Sequence, residues 1–62
     1  MIDLNSLVGL TEVEALDEIA HNNMKVRIRN RDGQAFMGTC DYRMDRVNLN
    51  IKNNLVVSAT IG

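Results

Sequence analysis

The side chains best suited to metal binding or nucleophilic catalysis are scarce in this chain, which holds one histidine, His21, and one cysteine, Cys40. Metal sites need several such ligands at fixed spacing, so we predict no metal and no other cofactor. A Cys-His nucleophilic pair is also not expected, because His21 falls at the end of an amphipathic segment, where histidine usually complements a helix dipole. Neither phosphate-binding glycine pattern, G-x-x-x-x-G-K-[ST] or G-x-G-x-x-G, occurs. The sequence predicts no catalytic residues and no enzyme.

The length of 62 residues predicts a single domain spanning residues 1–62, which buries roughly 60% of the surface of the unfolded chain. Phe36 and Tyr42 are the only aromatic residues, so the core must consist of aliphatic side chains and methionine. No apolar stretch approaches the roughly 20 residues that cross a bilayer. The N-terminal segment lacks the basic start and apolar run of a secretory signal. We therefore expect a cytoplasmic protein with no membrane partner.

Charge is divided along the chain, although the net charge is only -1. Residues 1–24 hold five acidic residues and no Lys or Arg, whereas residues 25–62 hold seven basic and three acidic residues, so the two parts carry -5 and +4. The simplest interpretation is a solvated acidic helix followed by a solvated basic sheet face.

A helix is predicted from about Glu12 to His21. Thr11 and Glu14 stand in the S/T-x-x-E relation of a capping box, which makes Thr11 the predicted N-cap. Apolar residues then recur at helical spacing, at Val13, Leu16, Ile19 and Ala20. The asparagines at 22 and 23 are suited to left-handed backbone conformations and are predicted to end the helix.

Three strands are predicted after the helix. Apolar and basic residues alternate from Met24 to Arg29, and apolar residues alternate with polar ones from Arg46 to Lys52. An Asn53-Asn54 turn then leads into an apolar segment, residues 55–61, which predicts a hairpin. The stretch 30–45 shows neither periodicity, and loops of this length in compact domains are usually functional or disordered.

Residues 39–47, T-C-D-Y-R-M-D-R-V, resemble the reactive-site loop of the potato inhibitor I family of serine protease inhibitors, which includes eglin and the barley chymotrypsin inhibitor. The family pattern there is close to T-[ML]-[ED]-Y-R-x-[DN]-R-V. Leu7-Val8-Gly9, Glu14-Ala15 and Gly62 also fall where that family places them, so the resemblance covers nearly the whole chain. It implies an α+β fold in which one helix packs on a small mixed sheet and a long exposed loop joins two parallel strands.

The resemblance also implies a function, in which residues 36–45 enter the active site of a subtilisin- or chymotrypsin-like serine protease as a substrate would. The scissile bond would join Cys40 to Asp41, and Cys40 would be the specificity residue. The remaining residues implied to contact the protease are Met37, Gly38 and Thr39 before the bond, and Tyr42 and Arg43 after it.

Support for the loop is implied to come from the strand that follows it. Arg46 is expected to reach Thr39 and Asp41 through charge-assisted hydrogen bonds. Asn48 stands where the family usually has a second supporting arginine. The chain also departs from the family pattern at Gly38, which replaces an apolar residue, at Cys40, which replaces Met or Leu, and in lacking an N-terminal Trp.

An alternative function remains open, in which the same scaffold binds an anionic, nucleotide-like small ligand or a partner protein. Strand geometry predicts one basic face formed by Lys25, Arg27, Arg29 and Arg31, joined by Arg43 and Arg46. Nucleic acid is not expected, because the chain has a net negative charge and only two aromatic residues for stacking. The apolar C-terminal strand leaves self-association as a homo-oligomer open as well.

Overall fold

The computed structural model describes residues 2–36, 38 and 41–62. Within these residues the chain forms a 3-10 helix at Leu4–Leu7, an α-helix, α1, and four strands. The elements after the 3-10 helix are α1 at Glu12–His21, β1 at Lys25–Arg31, β2 at Gln34–Ala35, β3 at Arg46–Lys52 and β4 at Leu55–Ile61. The strands form a mixed sheet in the order β2-β1-β3-β4, in which β1 and β3 are parallel. The predicted α+β fold is confirmed.

Helix α1 begins at the predicted capping box. The Thr11 hydroxyl accepts a hydrogen bond from the Glu14 backbone N–H at 3.2 Å, and Glu14 Oε1 accepts one from the Thr11 backbone N–H at 3.0 Å. These two bonds satisfy backbone donors that have no partner inside the helix. After the helix, Asn23 adopts a left-handed φ of 57°, whereas Asn22 has a φ of -93°. Asn23 therefore supplies the left-handed residue that the sequence predicts at this end.

The core lies between α1 and the sheet and is aliphatic, as predicted. Buried side chains of β3 pack against α1, the 3-10 helix and β4, and the cluster consists of Leu7, Ala15, Ile19, Val47, Leu49, Ile51 and Val56. The β3–β4 hairpin is confirmed, since Asn53 and Asn54 have φ values of 52° and 65°. Two successive left-handed residues form a turn whose twist suits antiparallel strands.

The stretch 30–45, predicted to lack regular structure, contains a short hairpin at its start. β1 continues to Arg31, and Gln34 pairs with it in the antiparallel β2. The turn between them uses Asp32 and Gly33, both with positive φ. An Asp-Gly pair is a strong hairpin signal, and it would have predicted this turn where hydrophobic periodicity alone did not.

A β-bulge interrupts the pairing of β1 with β3. Ile28 pairs with Leu49 but Asn30 pairs with Asn50, so Arg29 is an additional residue in β1. A bulge of this kind shifts the alternation of side chains by one position. Two residues of β1 that are an even number of positions apart, one before Arg29 and one after it, therefore lie on opposite faces of the sheet.

The bulge moves Arg31 to the face of the sheet that α1 covers, where it pairs with Ile51 in the register. Its guanidinium donates to both carboxylate oxygens of Glu12, with Nε to Oε1 at 3.0 Å and Nη2 to Oε2 at 2.8 Å. The prediction that Lys25, Arg27, Arg29 and Arg31 share one face is therefore wrong at Arg31.

No helix in the described part of the chain has the length and apolar character needed to cross a bilayer.

Thr11→Ala is expected to lower the free energy of unfolding by about 1 kcal/mol, because it removes the oxygen that caps α1. Thr11→Ser keeps that oxygen and is the matched control. Urea denaturation followed by circular dichroism measures both variants. An alanine variant as stable as the wild type would contradict the capping role.

Candidate functional site

The loop between β2 and β3 lies at the end of the sheet where β1 and β3 begin. Its return arm is tied to β1, because the Lys25 backbone N–H donates to the Asp45 carbonyl at 2.8 Å. Residues 41–45 are all exposed, including Tyr42 at 70% and Met44 at 78%. Three of the predicted contact residues, Met37, Thr39 and Cys40, lie outside the described residues. The predicted scissile bond is therefore described only on its Asp41 side.

Arg46, the first residue of β3, connects the loop to the sheet. Its Nη2 donates to the main-chain oxygen of Asp41 at 2.8 Å, and its Nη1 lies 3.5 Å from Asp41 Oδ2. Its Nε donates to the main-chain oxygen of Gly62 at 2.9 Å. The predicted contact between Arg46 and Asp41 is thus present, mainly through the main chain of Asp41, and the predicted contact with Thr39 falls outside the described residues.

The Arg46 side chain is only 11% exposed, whereas that of Asp41 is 49% exposed. Burial of the guanidinium reduces the competition from water that makes most exposed ion pairs weak. Two hydrogen bonds to main-chain oxygens also orient the planar guanidinium, which a single contact would not do. Arg46 therefore anchors to the sheet the loop residue that follows the predicted scissile bond.

Asn48, the other predicted support residue, lies two positions further along β3 and is 4% exposed. Its Oδ1 accepts from Arg27 Nε at 3.0 Å, and its Nδ2 donates to the main-chain oxygen of Gly62 at 3.4 Å. Gly62 is thus an acceptor for both β3 side chains, Arg46 and Asn48. No side-chain pattern in the sequence points to this role, because the acceptor is a main-chain oxygen.

The basic residues predicted to form one anion-binding face occupy different surroundings. Arg27 contacts Asn48 and lies against Gly38, and Arg31 pairs with Glu12 and lies 5.5 Å from the centroid of the Phe36 ring. The side chains of the remaining two, Lys25 and Arg29, are exposed.

A recess of about 340 Å³ lies beside the loop and brings Arg27 and Arg29 together with the carboxylate residue Asp41. Tyr42 and Asn48 also line it. An anion in this recess would meet two cations, rather than the four that the sequence predicts for one face, and would also meet a negative charge. The recess is therefore expected to attract an anion less strongly than the four-residue basic face that the sequence predicts.

Comparison of the chain with family models, with curated proteins and with solved structures finds no match. The resemblance of residues 39–47 to the potato inhibitor I loop stays a prediction from the sequence.

Arg43 and Asp45 form an ion pair within the loop, with Arg43 Nε 3.2 Å from Asp45 Oδ1. The hydrogen bond from Arg43 lowers the pKa of the Asp45 carboxyl, and the same bond raises the pKa of Arg43. A lowered folded-state pKa means that the pair stabilises the folded loop above the unfolded-state pKa of Asp45. This contribution is lost as the pH falls through the lowered pKa.

Arg43→Gln is therefore expected to raise the pKa of Asp45 toward its ordinary value. Carboxyl carbon chemical shifts followed by NMR between about pH 2 and pH 7, the range in which carboxyl groups titrate, measure this change. Arg29→Gln removes the same charge from β1 and is the control. An Asp45 pKa that does not move in Arg43→Gln would show that the two side chains are not paired in solution.

Proposed function

We propose that this protein inhibits a serine protease by presenting residues 36–45 as a rigid, substrate-like loop, with the scissile bond between Cys40 and Asp41. The observation that carries the proposal is the hydrogen bond from Arg46 to the main-chain oxygen of Asp41 at 2.8 Å. This bond holds the backbone of the residue after the predicted scissile bond against the sheet. The neighbouring loop side chains, Tyr42 and Arg43, remain exposed.

Rigidity is what separates an inhibitor loop from a substrate. A flexible peptide loses conformational entropy when it enters a protease cleft, whereas a loop already held in the bound conformation loses little. The chain has one cysteine, so no disulfide within it can hold the loop. Hydrogen bonds from a charged donor such as Arg46 are roughly twice as strong as neutral ones, and they are the means of support that the described residues provide.

The geometry also explains how a cleaved loop would stay assembled. Cleavage between Cys40 and Asp41 would create a new amine on Asp41, whose main-chain oxygen is bound by Arg46. The arm before the bond leaves β2 at Phe36, whose backbone N–H donates to the Arg29 carbonyl at 3.0 Å. The attachment of both arms to the sheet supports the proposal that the amine would stay near the acyl group, where the peptide bond could re-form.

The contact roles of Met37, Gly38, Thr39 and Cys40 are carried over from the resemblance and form part of the proposal. Cys40 has a side chain of modest size, which suits a small or medium apolar specificity pocket. Subtilisin-like and elastase-like enzymes have pockets of that size, and the family resemblance favours subtilisin- or chymotrypsin-like enzymes. Backbone pairing between loop and enzyme would supply affinity, and the side chains on either side of the bond would supply specificity.

The alternative function, capture of an anionic ligand, is less well supported by the geometry. Arg31 is neutralised by Glu12 at 2.8 Å, and Arg27 is held by the Asn48 amide. Two of the four basic residues of β1 thus contact the sheet or the helix, and Lys25 and Arg29 are the two that stay exposed. If this alternative is correct, a phosphate-bearing ligand should bind weakly, and its binding should be lost as the salt concentration rises.

Titration of the purified protein under reducing conditions against subtilisin-, chymotrypsin- and elastase-like proteases is expected to show stoichiometric inhibition of at least one enzyme. Cys40→Leu should strengthen inhibition of subtilisin- or chymotrypsin-like enzymes, and alkylation of Cys40 with a bulky reagent should change affinity by about tenfold, or 1.4 kcal/mol. The same reagent applied to Cys40→Leu, which has no thiol, is the control. No inhibition of any enzyme up to high micromolar concentration would overturn the proposed function.

Arg46→Ala is expected to convert a slowly cleaved inhibitor into a faster substrate, because Asp41 loses its bond to the sheet. The free energy of unfolding should fall by at least about 1 kcal/mol, the usual value for one lost hydrogen bond, since Arg46 makes two to main-chain oxygens. Cleavage is measured by mass spectrometry during incubation with the inhibited protease, and stability by urea denaturation.

Lys52→Ala, which removes a basic side chain from the opposite end of β3, is the matched control. Arg46→Lys keeps the charge but cannot reproduce the planar set of donors that reaches both Asp41 and Gly62, so it should also be cleaved faster. Cleavage of Arg46→Lys at the wild-type rate would contradict the support role of the guanidinium, including in the case that Arg46→Ala does not fold.

A further inference from the structure

Gly38 and Arg27 approach each other closely on the arm of the loop that precedes the predicted scissile bond. A methyl group added to Gly38 would lie 3.1 Å from Arg27 Nη1 and 3.3 Å from its Cζ, which is closer than ordinary van der Waals contact. Gly38 does not have the left-handed φ of Gly9 and Gly33, so a larger residue here would be limited by the space beside Arg27 and not by backbone conformation. The loop backbone therefore lies directly against the guanidinium.

Arg27 is held in this position from the sheet. Its Nε donates to Asn48 Oδ1 at 3.0 Å, and the two residues are partners in the register of β1 and β3. Because Asn48 is 4% exposed, its oxygen would be left without a partner in a buried site if Arg27 swung away, which is costly. A second contact fixes the amide, since Asn48 Nδ2 lies 3.4 Å from the oxygen of Gly62.

We propose that Arg27, oriented by Asn48, is a second positioning residue of the loop and supports the arm before the scissile bond, as Arg46 supports the arm after it. The role of this support in inhibition rests on the proposed function. Arg27 projects from β1 and Arg46 from β3, so each of the two parallel strands holds one side of the loop. The Gly62 oxygen links the two supports, because it accepts from both Asn48 and Arg46.

This assignment explains two departures from the potato inhibitor I pattern together. An asparagine at position 48 is too short to act as a supporting arginine, and its hydrogen bonds go to Arg27 and Gly62. The guanidinium is supplied instead by the neighbouring strand. A glycine at position 38 leaves the space that this guanidinium occupies. Arg27, Asn48 and Gly38 are thus three parts of one arrangement, and a change in one should alter the effect of a change in another.

A double-mutant cycle of Arg27→Ala and Gly38→Ala tests the inference. In the wild-type background, Gly38→Ala is expected to displace the guanidinium and mobilise the loop. In the Arg27→Ala background the same substitution should have little further effect, because the group that it displaces is absent. Effects of Gly38→Ala on the unfolded chain or on direct protease contact occur in both backgrounds and cancel in the cycle.

Two readouts are needed. The first is the backbone order parameter of the residue 38 amide, measured by ¹⁵N relaxation without any protease. The free energy of unfolding, measured alongside, should fall in Arg27→Ala, because the buried Asn48 oxygen loses its donor. The second is the rate of loop cleavage by an inhibited protease, which should rise on the order of tenfold in Arg27→Ala, corresponding to about 1.4 kcal/mol. Arg29→Ala removes the adjacent exposed arginine of β1 and is the matched control.

The outcomes separate this inference from the proposed function. Loss of order at residue 38 in Arg27→Ala, with non-additive effects in the cycle, supports the inference even if no protease is inhibited. Additive effects, or an Arg27→Ala variant with wild-type order and wild-type cleavage, would overturn it while leaving inhibition by the loop intact.

Discussion

The parallel pairing of β1 with β3 is the constraint on which the rest of the structure depends. Parallel neighbours cannot be joined by a tight turn, because the chain must return to the end of the sheet from which it started. Here it returns from Arg31 to Arg46, through the β1–β2 hairpin and the exposed loop. The buried residues Val47 and Leu49 hold β3 in register beneath α1. The packing of the core therefore fixes the positions of β1 and β3, the two strands that this connection joins.

The two faces of the sheet have different tasks. One face carries the aliphatic core against α1, and the other carries polar side chains that contact the loop. Asn48 is buried and Arg46 nearly so, and polar groups in such places destabilise the fold unless their hydrogen bonds are made. In the described part of the chain no buried side-chain nitrogen or oxygen lacks a partner. Among these bonds, those of Arg46 join the loop to the sheet at Asp41 in a chain whose single cysteine allows no disulfide within it.

The bulge at Arg29 decides which task each neighbouring arginine has. Before the bulge Arg27 pairs with Asn48 on the loop side, and after it Arg31 pairs with Ile51 on the core side. Arg31 then binds Glu12 at the start of α1, where it ties the helix to the sheet. Arg27 and Arg31 carry the same charge and are close in the sequence, but Arg27 lies beneath the loop and Arg31 lies at the helix.

Local patterns in the sequence determined α1, β3, β4 and the turn between the two strands, because capping, alternation and paired asparagines act between residues close in the chain. The Asp32-Gly33 turn was equally local and could have been predicted from its residue types. The bulge at Arg29, the contact of Arg27 with Asn48, and the use of the Gly62 oxygen by Arg46 were decided by the tertiary structure. These contacts join residues 16 to 21 positions apart, and the register that brings them together is set by how the core packs and not by the types of the residues themselves.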